Sequence, residues 1–173
     1  MNSEKFVDEL KNLLGVYTKE ILVSETQHGK SKAKAYRVWA TIDSTKLRDI
    51  IKKISVLQKN PHFSVSSGND LGEEIEILYH FALNYAKPKA QVLLTLRVKV
   101  PKSSPVIDTI TDIIPGAEIS EKEKREFLGV EFKGLPQGGA FLDESLAGVH
   151  PWRKDEKGVS KFVKNVHDGE KHA

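Results

Sequence analysis

Two alternating runs constrain this chain more than any other feature. In Glu74–Ala82, Ile75, Ile77, Tyr79 and Phe81 alternate with Glu76, Leu78 and His80; in Gln91–Val100, Val92, Leu94, Leu96, Val98 and Val100 alternate with Leu93, Thr95, Arg97 and Lys99. A period of two puts each set on one face of a strand. The intervening Asn84–Ala90, with Pro88, reads as a hairpin loop and makes the pair antiparallel. A sheet with one strongly apolar face needs a covering layer.

Helices are available for that layer. Ser3–Leu14 places Phe6, Leu10, Leu13 and Leu14 on one side, with Ser3 as cap and Gly15 as stop. From Asp43 or Ser44 to about Gln58, Leu47, Ile50, Ile51, Ile54 and Leu57 form a second buried stripe, with Lys52 and Lys53 outside. Ile21–Glu25, Ala35–Ile42 and Phe63–Ser67 read as further strands, and Ser66-Ser67-Gly68-Asn69-Asp70 as a turn. Ser104-Pro105 opens a short helix through Ile114, closed by Pro115-Gly116. The order predicts an α+β domain over residues 1–128: a mainly antiparallel sheet with helices packed on one face.

The stretch 119–155 divides in two. Ser120 and Glu123 have capping-box spacing for a short helix, Glu121 can pair with Arg125, and Gly129 ends it. So brief a helix must dock through Ile119, Phe127 and Leu128. Beyond it, Gly134, Pro136, Gly138, Gly139, Gly148 and Pro151 interrupt isolated apolar residues, so 129–173 reads as an extended C-terminal arm.

The absence of cysteine from 173 residues removes disulfides, thiol nucleophiles and cysteine-ligated iron–sulfur clusters from this chain. The net charge of +3 comes from interspersed lysines and glutamates, without the dense basic stripe of a nucleic-acid surface. Lys30, Lys32 and Lys34 form a polar loop that reads as a solvated hairpin tip; the competing reading, a phosphate or nucleic-acid contact, requires several converging donors. No apolar run approaches the roughly 20 residues of a membrane span. MNSEKFVDEL lacks a signal-peptide core, so the chain is expected to stay in the compartment where it is made. Lysine richness with scarce glutamine hints at a thermophilic source.

Reactive constellations are missing from the linear sequence. The six histidines (His28, His62, His80, His150, His167 and His172) have no metal-ligand spacing, Gly68 is not followed by a P-loop lysine, and no serine lies in a nucleophile elbow. His80 reads as a strand histidine on the more polar face rather than a general base. Glu121, Glu123 and Glu126 leave open a soluble carboxylate-dependent enzyme.

Residues 105–155 resemble the NADH dehydrogenase 30 kDa subunit family of respiratory complex I and its counterpart in membrane-bound energy-converting hydrogenases. The likeness is carried in order by Thr109-Ile110-Thr111, Ala117, Glu121-Lys122-Glu123, Glu126-Phe127-Leu128, Gly129-Val130-Glu131-Phe132-Lys133-Gly134-Leu135-Pro136 and Pro151-Trp152-Arg153-Lys154-Asp155. Lys122 replaces the family's arginine and cannot reproduce its bidentate fork. Leu135 replaces a histidine, and Gln137-Gly138-Gly139-Ala140 replaces a run containing arginines. These departures favour an archaeal branch, a membrane-bound [NiFe] hydrogenase or related sulfur-reducing complex, over an orthodox NADH–quinone enzyme.

The resemblance implies a noncatalytic hetero-oligomeric subunit on the cytoplasmic side of the membrane, peripheral, with no cofactor of its own. The [NiFe] centre and iron–sulfur clusters are expected in a hydrogenase large subunit homologue and a small iron–sulfur subunit, with the membrane arm reached indirectly. The expected partner-facing residues are Glu121, Glu123, Glu126, Phe127, Phe132, Leu135, Pro136, Pro151, Trp152, Arg153, Lys154 and Asp155. Trp and Arg are common interface anchors, and the alternative for Trp152 is to fold back on this domain.

Overall fold

The computed structural model describes residues 3–28, 33–85, 87, 90–139 and 141–157. Helix α1 (Ser3–Gly15) is followed by the hairpin β1 (Thr18–His28) and β2 (Ala33–Ile42), then α2 (Leu47–Leu57). The meander β3 (His62–Asp70), β4 (Glu74–Leu83) and β5 (Val92–Pro101) comes next. It leads to β6 (Val106–Asp108), α3 (Glu118–Leu128) and β7 (Glu131–Lys133). The main sheet has five strands in the order β1-β2-β5-β4-β3. All its pairs are antiparallel except β2 with β5, where Tyr36 lies opposite Val92 and Ile42 opposite Val98.

The alternation of β4 and β5 places Ile75, Ile77, Tyr79, Phe81 and the even-numbered Val92–Val100 set on one face, where they are buried with Tyr36, Val38, Ala40 and Ile42. Phe6, Leu10 and Leu14 of α1 and Leu47, Ile50, Ile51 and Ile54 of α2 close over them. Asp43 caps the turn before α2 by accepting from Thr45 N–H at 2.9 Å. The third helix lies on the same face over β3: Ser66, opposite Tyr79, bonds Ser120, and Gly68, opposite Ile77, lies under Leu128. The protein is therefore an α+β domain with its helices on one face of a mainly antiparallel sheet.

Three local expectations are corrected. Ser66–Asp70 is the end of β3 and not a turn; a Cβ at Gly68 would overlap Leu128 Cδ1, so the glycine there admits a helix. Residues 104–114 form β6 and a turn, not a helix. Val106 and Ile107 pair in parallel with Glu131 and Phe132, and the Thr109 hydroxyl accepts from Thr111 N–H at 3.2 Å, competing with helical bonding. Finally, α3 starts at Glu118 behind a Pro115–Ala117 turn, without a side-chain cap. Ser120 is inside it and bonds Ser66 N–H at 2.8 Å, while Arg125 reaches Glu126 rather than Glu121. Ile119 is exposed instead of docked.

Candidate functional site at the end of helix α3

The last turn of α3 and the chain around 149–156 form one unit. A helix C-terminus leaves carbonyls without intrahelical donors, and here the returning chain supplies them. His150 Nδ1 donates to Glu126 O at 2.8 Å, Trp152 N–H to Phe127 O at 2.9 Å, and Arg153 Nε to Leu128 O at 2.8 Å. A further Arg153 N–H reaches Gly129 O at 3.4 Å. The guanidinium thus sits at the negative end of the helix dipole. Gly129 takes φ +67°, and a Cβ there would lie 2.5 Å from His150 Nε2 and 2.8 Å from an Arg153 nitrogen, so glycine serves both the left-handed helix stop and the close approach of the returning strap.

The strap is fastened again at its far end. Asp70 accepts from Lys102 Nζ at 2.7 Å, Gly72 N–H at 2.7 Å and Lys154 N–H at 2.8 Å, and Lys102 also pairs with Asp155 at 2.6 Å. Burial raises the Asp70 pKa, but these donors outweigh it and hold the group at about 2. On α3, Glu126 accepts from Phe141 N–H at 2.7 Å and Leu142 N–H at 3.0 Å. Partial burial works against its ionisation, yet those donors and Arg125 keep its pKa below the usual glutamate range.

An aromatic ridge results. The Phe127 ring lies 4.7 Å from Trp152 and 6.3 Å from Phe141, and Trp152 covers Lys124, whose ammonium lies 5.5 Å from the indole centre. Lys124 is buried and bonded to Glu123, while Trp152 remains 43% and Phe141 49% exposed. Beside the ridge, a groove of about 770 Å³ is lined by Arg125, Val130, Lys133, Pro136 and His150 among others.

The sequence-predicted site residues therefore divide. Glu126, Phe127, Pro151, Trp152, Arg153, Lys154 and Asp155 come together, with Pro136 nearby in the groove wall. Glu121 is fully buried under α3, and Phe132 and Leu135 are buried in this chain's own core. Arg153 is directed at this chain's carbonyls, and the Trp152 ring folds back on Phe127. Sequence reasoning missed Asp70, Lys102 and His150; their contacts join residues separated by 24 to 84 positions, and no local pattern marks them.

No competing catalytic arrangement emerges among the described residues. Ser67 Oγ lies 2.9 Å from His80 Nε2, and Thr95 Oγ1 lies 3.1 Å from His80 Nδ1, on the sheet face opposite the helices. This is the polar-face role expected of His80; burial and the Lys124 charge lower its pKa. Glu121, Glu123 and Glu126 do not converge: one bonds Thr109, one Lys124 and one the backbone of Phe141 and Leu142. No group of three or more metal-ligating side chains occurs among the described residues. Lys34 pairs with Glu4 at 2.5 Å and Glu25 at 3.4 Å; Lys30 and Lys32, like His167 and His172, lie outside the described residues.

Residues 40–161 match the family described as respiratory-chain NADH dehydrogenase, 30 kDa subunit. The chain belongs to this family. Among curated members it is similar to the membrane-bound hydrogenase subunit beta of Pyrococcus furiosus, 34% identical over 85% of this chain and 83% of that protein. It is also similar to a subunit of the F420H2 dehydrogenase of Methanosarcina mazei, 30% identical over 70% of this chain and 77% of that one. A chain of the membrane-bound sulfane sulfur reductase, an archaeal respiratory membrane complex, shares the fold of this 30 kDa family member, with a TM-score of 0.75 over 98% of this chain and 94% of that one at 21% identity. No helix among the described residues is long and apolar enough to cross a membrane.

Proposed function

We propose that this 30 kDa family member is a peripheral, noncatalytic assembly subunit of a membrane-bound energy-converting redox complex, most simply a [NiFe] hydrogenase that evolves H2 and is coupled to ion translocation. The observation that carries the reading is the extended similarity to a membrane-bound hydrogenase subunit beta across most of both chains. The site chemistry fits: the α3 end offers aromatic surface and fixed backbone, with Asp155 paired to Lys102 and Glu126 to Arg125. In this reading the ridge of Phe127, Phe141 and Trp152 docks on the large catalytic subunit, and the nickel–iron and iron–sulfur centres reside in that subunit and its small iron–sulfur companion, on the cytoplasmic side.

A tagged chain drawn from gently solubilised native membranes should bring with it subunits that hold nickel and iron–sulfur clusters, and hydrogen evolution. Recovery of the chain alone would overturn the proposal. The similarity to an F420H2 dehydrogenase subunit supports a second reading, a complex delivering electrons to another acceptor such as a quinone-type carrier or sulfur. Co-purification with iron–sulfur subunits but no nickel would select it.

A further inference from the structure

The Glu121 carboxyl is fully buried where α3 meets β4 and the chain leaving β6. Thr109 Oγ1 contacts its Oε2; Ile110 N–H, at 3.2 Å, and the Tyr79 hydroxyl, at 3.4 Å, donate to its Oε1. All three partners are neutral. Arg48, the guanidinium whose charge acts on Glu121, is engaged by both Asp112 oxygens at 2.7 Å and by Thr109 O. Asp108 and Asp112 face Arg48 rather than supply a cation. On α3 itself, Lys124 is bonded to Glu123 and covered by Trp152, and Lys122 pairs with Glu118 at 2.6 Å. From β3 the contact is uncharged, Ser66 to Ser120, and His80 lies on the other face of the sheet. A carboxylate held in an interior by neutral donors alone is disfavoured against the acid.

The surrounding hydroxyls accept either state. Thr109 Oγ1 lies 2.9 Å from Thr111 Oγ1. With the acid, Glu121 O–H donates to Thr109 Oγ1 and Thr109 O–H donates to Thr111 Oγ1; with the carboxylate, both hydroxyls turn round, Thr111 O–H donating to Thr109 Oγ1 and Thr109 O–H to Glu121. The hydroxyls therefore do not select the protonation state; burial of the charge among neutral donors makes the ionised form costly only while α3 is seated, so ionisation weakens the seating.

We propose that Glu121 is a proton-operated fastener: protonated, it seats α3 and the strap bonded to its end on the sheet, and ionised, it lets them open locally while the sheet stays intact. This holds for the isolated chain whatever complex it serves. Burial, opposed by the bonds from Thr109, Ile110 and Tyr79 and by Arg48, raises the seated pKa to about 7 against 4.5 for the free group. Seating is therefore fully favoured below the lower value, weakens as pH rises between the two, and levels off above the higher one.

Hydrogen exchange of the full chain between pH 5 and 8.5, corrected for intrinsic rates, tests it. The opening constant of the 118–128 amides should rise about tenfold per pH unit toward pH 7 and then level off, with β4 and β5 unchanged. Glu121→Gln should remove the slope, whereas His150→Gln, which deletes the imidazole bonded to Glu126 O at the α3 end, should keep it. Thr109→Val removes a donor to the carboxylate and should carry the plateau to higher pH. A flat wild-type profile, a slope that survives Glu121→Gln or vanishes in His150→Gln, or an unmoved plateau in Thr109→Val would each overturn the proposal.

Discussion

The Asp70 carboxylate joins three pieces of chain: the turn after β3, the end of β5 through Lys102, and the strap through Lys154 N–H. Its pKa is depressed below the unfolded value near 3.8 to about 2, so its contribution is present above pH 3.8 and lost as pH falls toward 2. Asp70→Asn should cost about 1–2 kcal/mol after allowance for screening at neutral pH, and the difference from wild type in urea midpoints should shrink on acidification. Trp152 has a different balance. With its ring partly exposed and stacked on Phe127, Trp152→Ala should change the thermal midpoint little but reduce recovery of partner subunits in a pull-down from membranes.

Among the elements, α3 depends most on residues distant in sequence. Gly129→Ala must hold a left-handed conformation, a cost of about 1–2 kcal/mol, and would also push against His150 and Arg153. Faster amide exchange at 149–156 than in wild type is the expected result. Arg153→Lys keeps the charge but lacks the fork that spans Leu128 O and Gly129 O, so it should loosen the same amides. How much was legible beforehand follows from the range of the interactions. α1, α2, β4 and β5 are visible because burial repeats at the period of one element. The three-residue β6 is not: it exists by pairing with Glu131–Lys133, and Val106-Ile107 suits a helix or a strand equally on apolar spacing. Lys124 is similarly deceptive, a lysine in a charged helix that is buried because a tryptophan 28 positions later lies over it.

For the whole molecule, the division at residue 128 needs a physical refinement. β7 pairs with β6, and Val130, Phe132 and Leu135 join the core, so the chain after α3 contributes to folding before any of it turns outward. A protein ending at Gly134 should retain the five-stranded sheet by circular dichroism but lose protection in α3, because Leu135, His150, Trp152 and Arg153 go with the deletion. It should also fail to recover partner subunits. The motifs of the resemblance include the chain that returns to the end of α3, while the inward role of Glu121, Phe132 and Leu135 depends on which way each side chain faces, and spacing alone does not fix that.

The parallel join between β2 and β5 imposes a timetable on synthesis. The strand that completes the floor beneath α1 and α2 is the last of the main sheet to be made, so a ribosome that has released only the first 91 residues holds two helices and two hairpins without the strand that joins them. Nascent chains stalled there should be cut readily by protease, and resistance should arrive abruptly once Pro101 has cleared the exit tunnel.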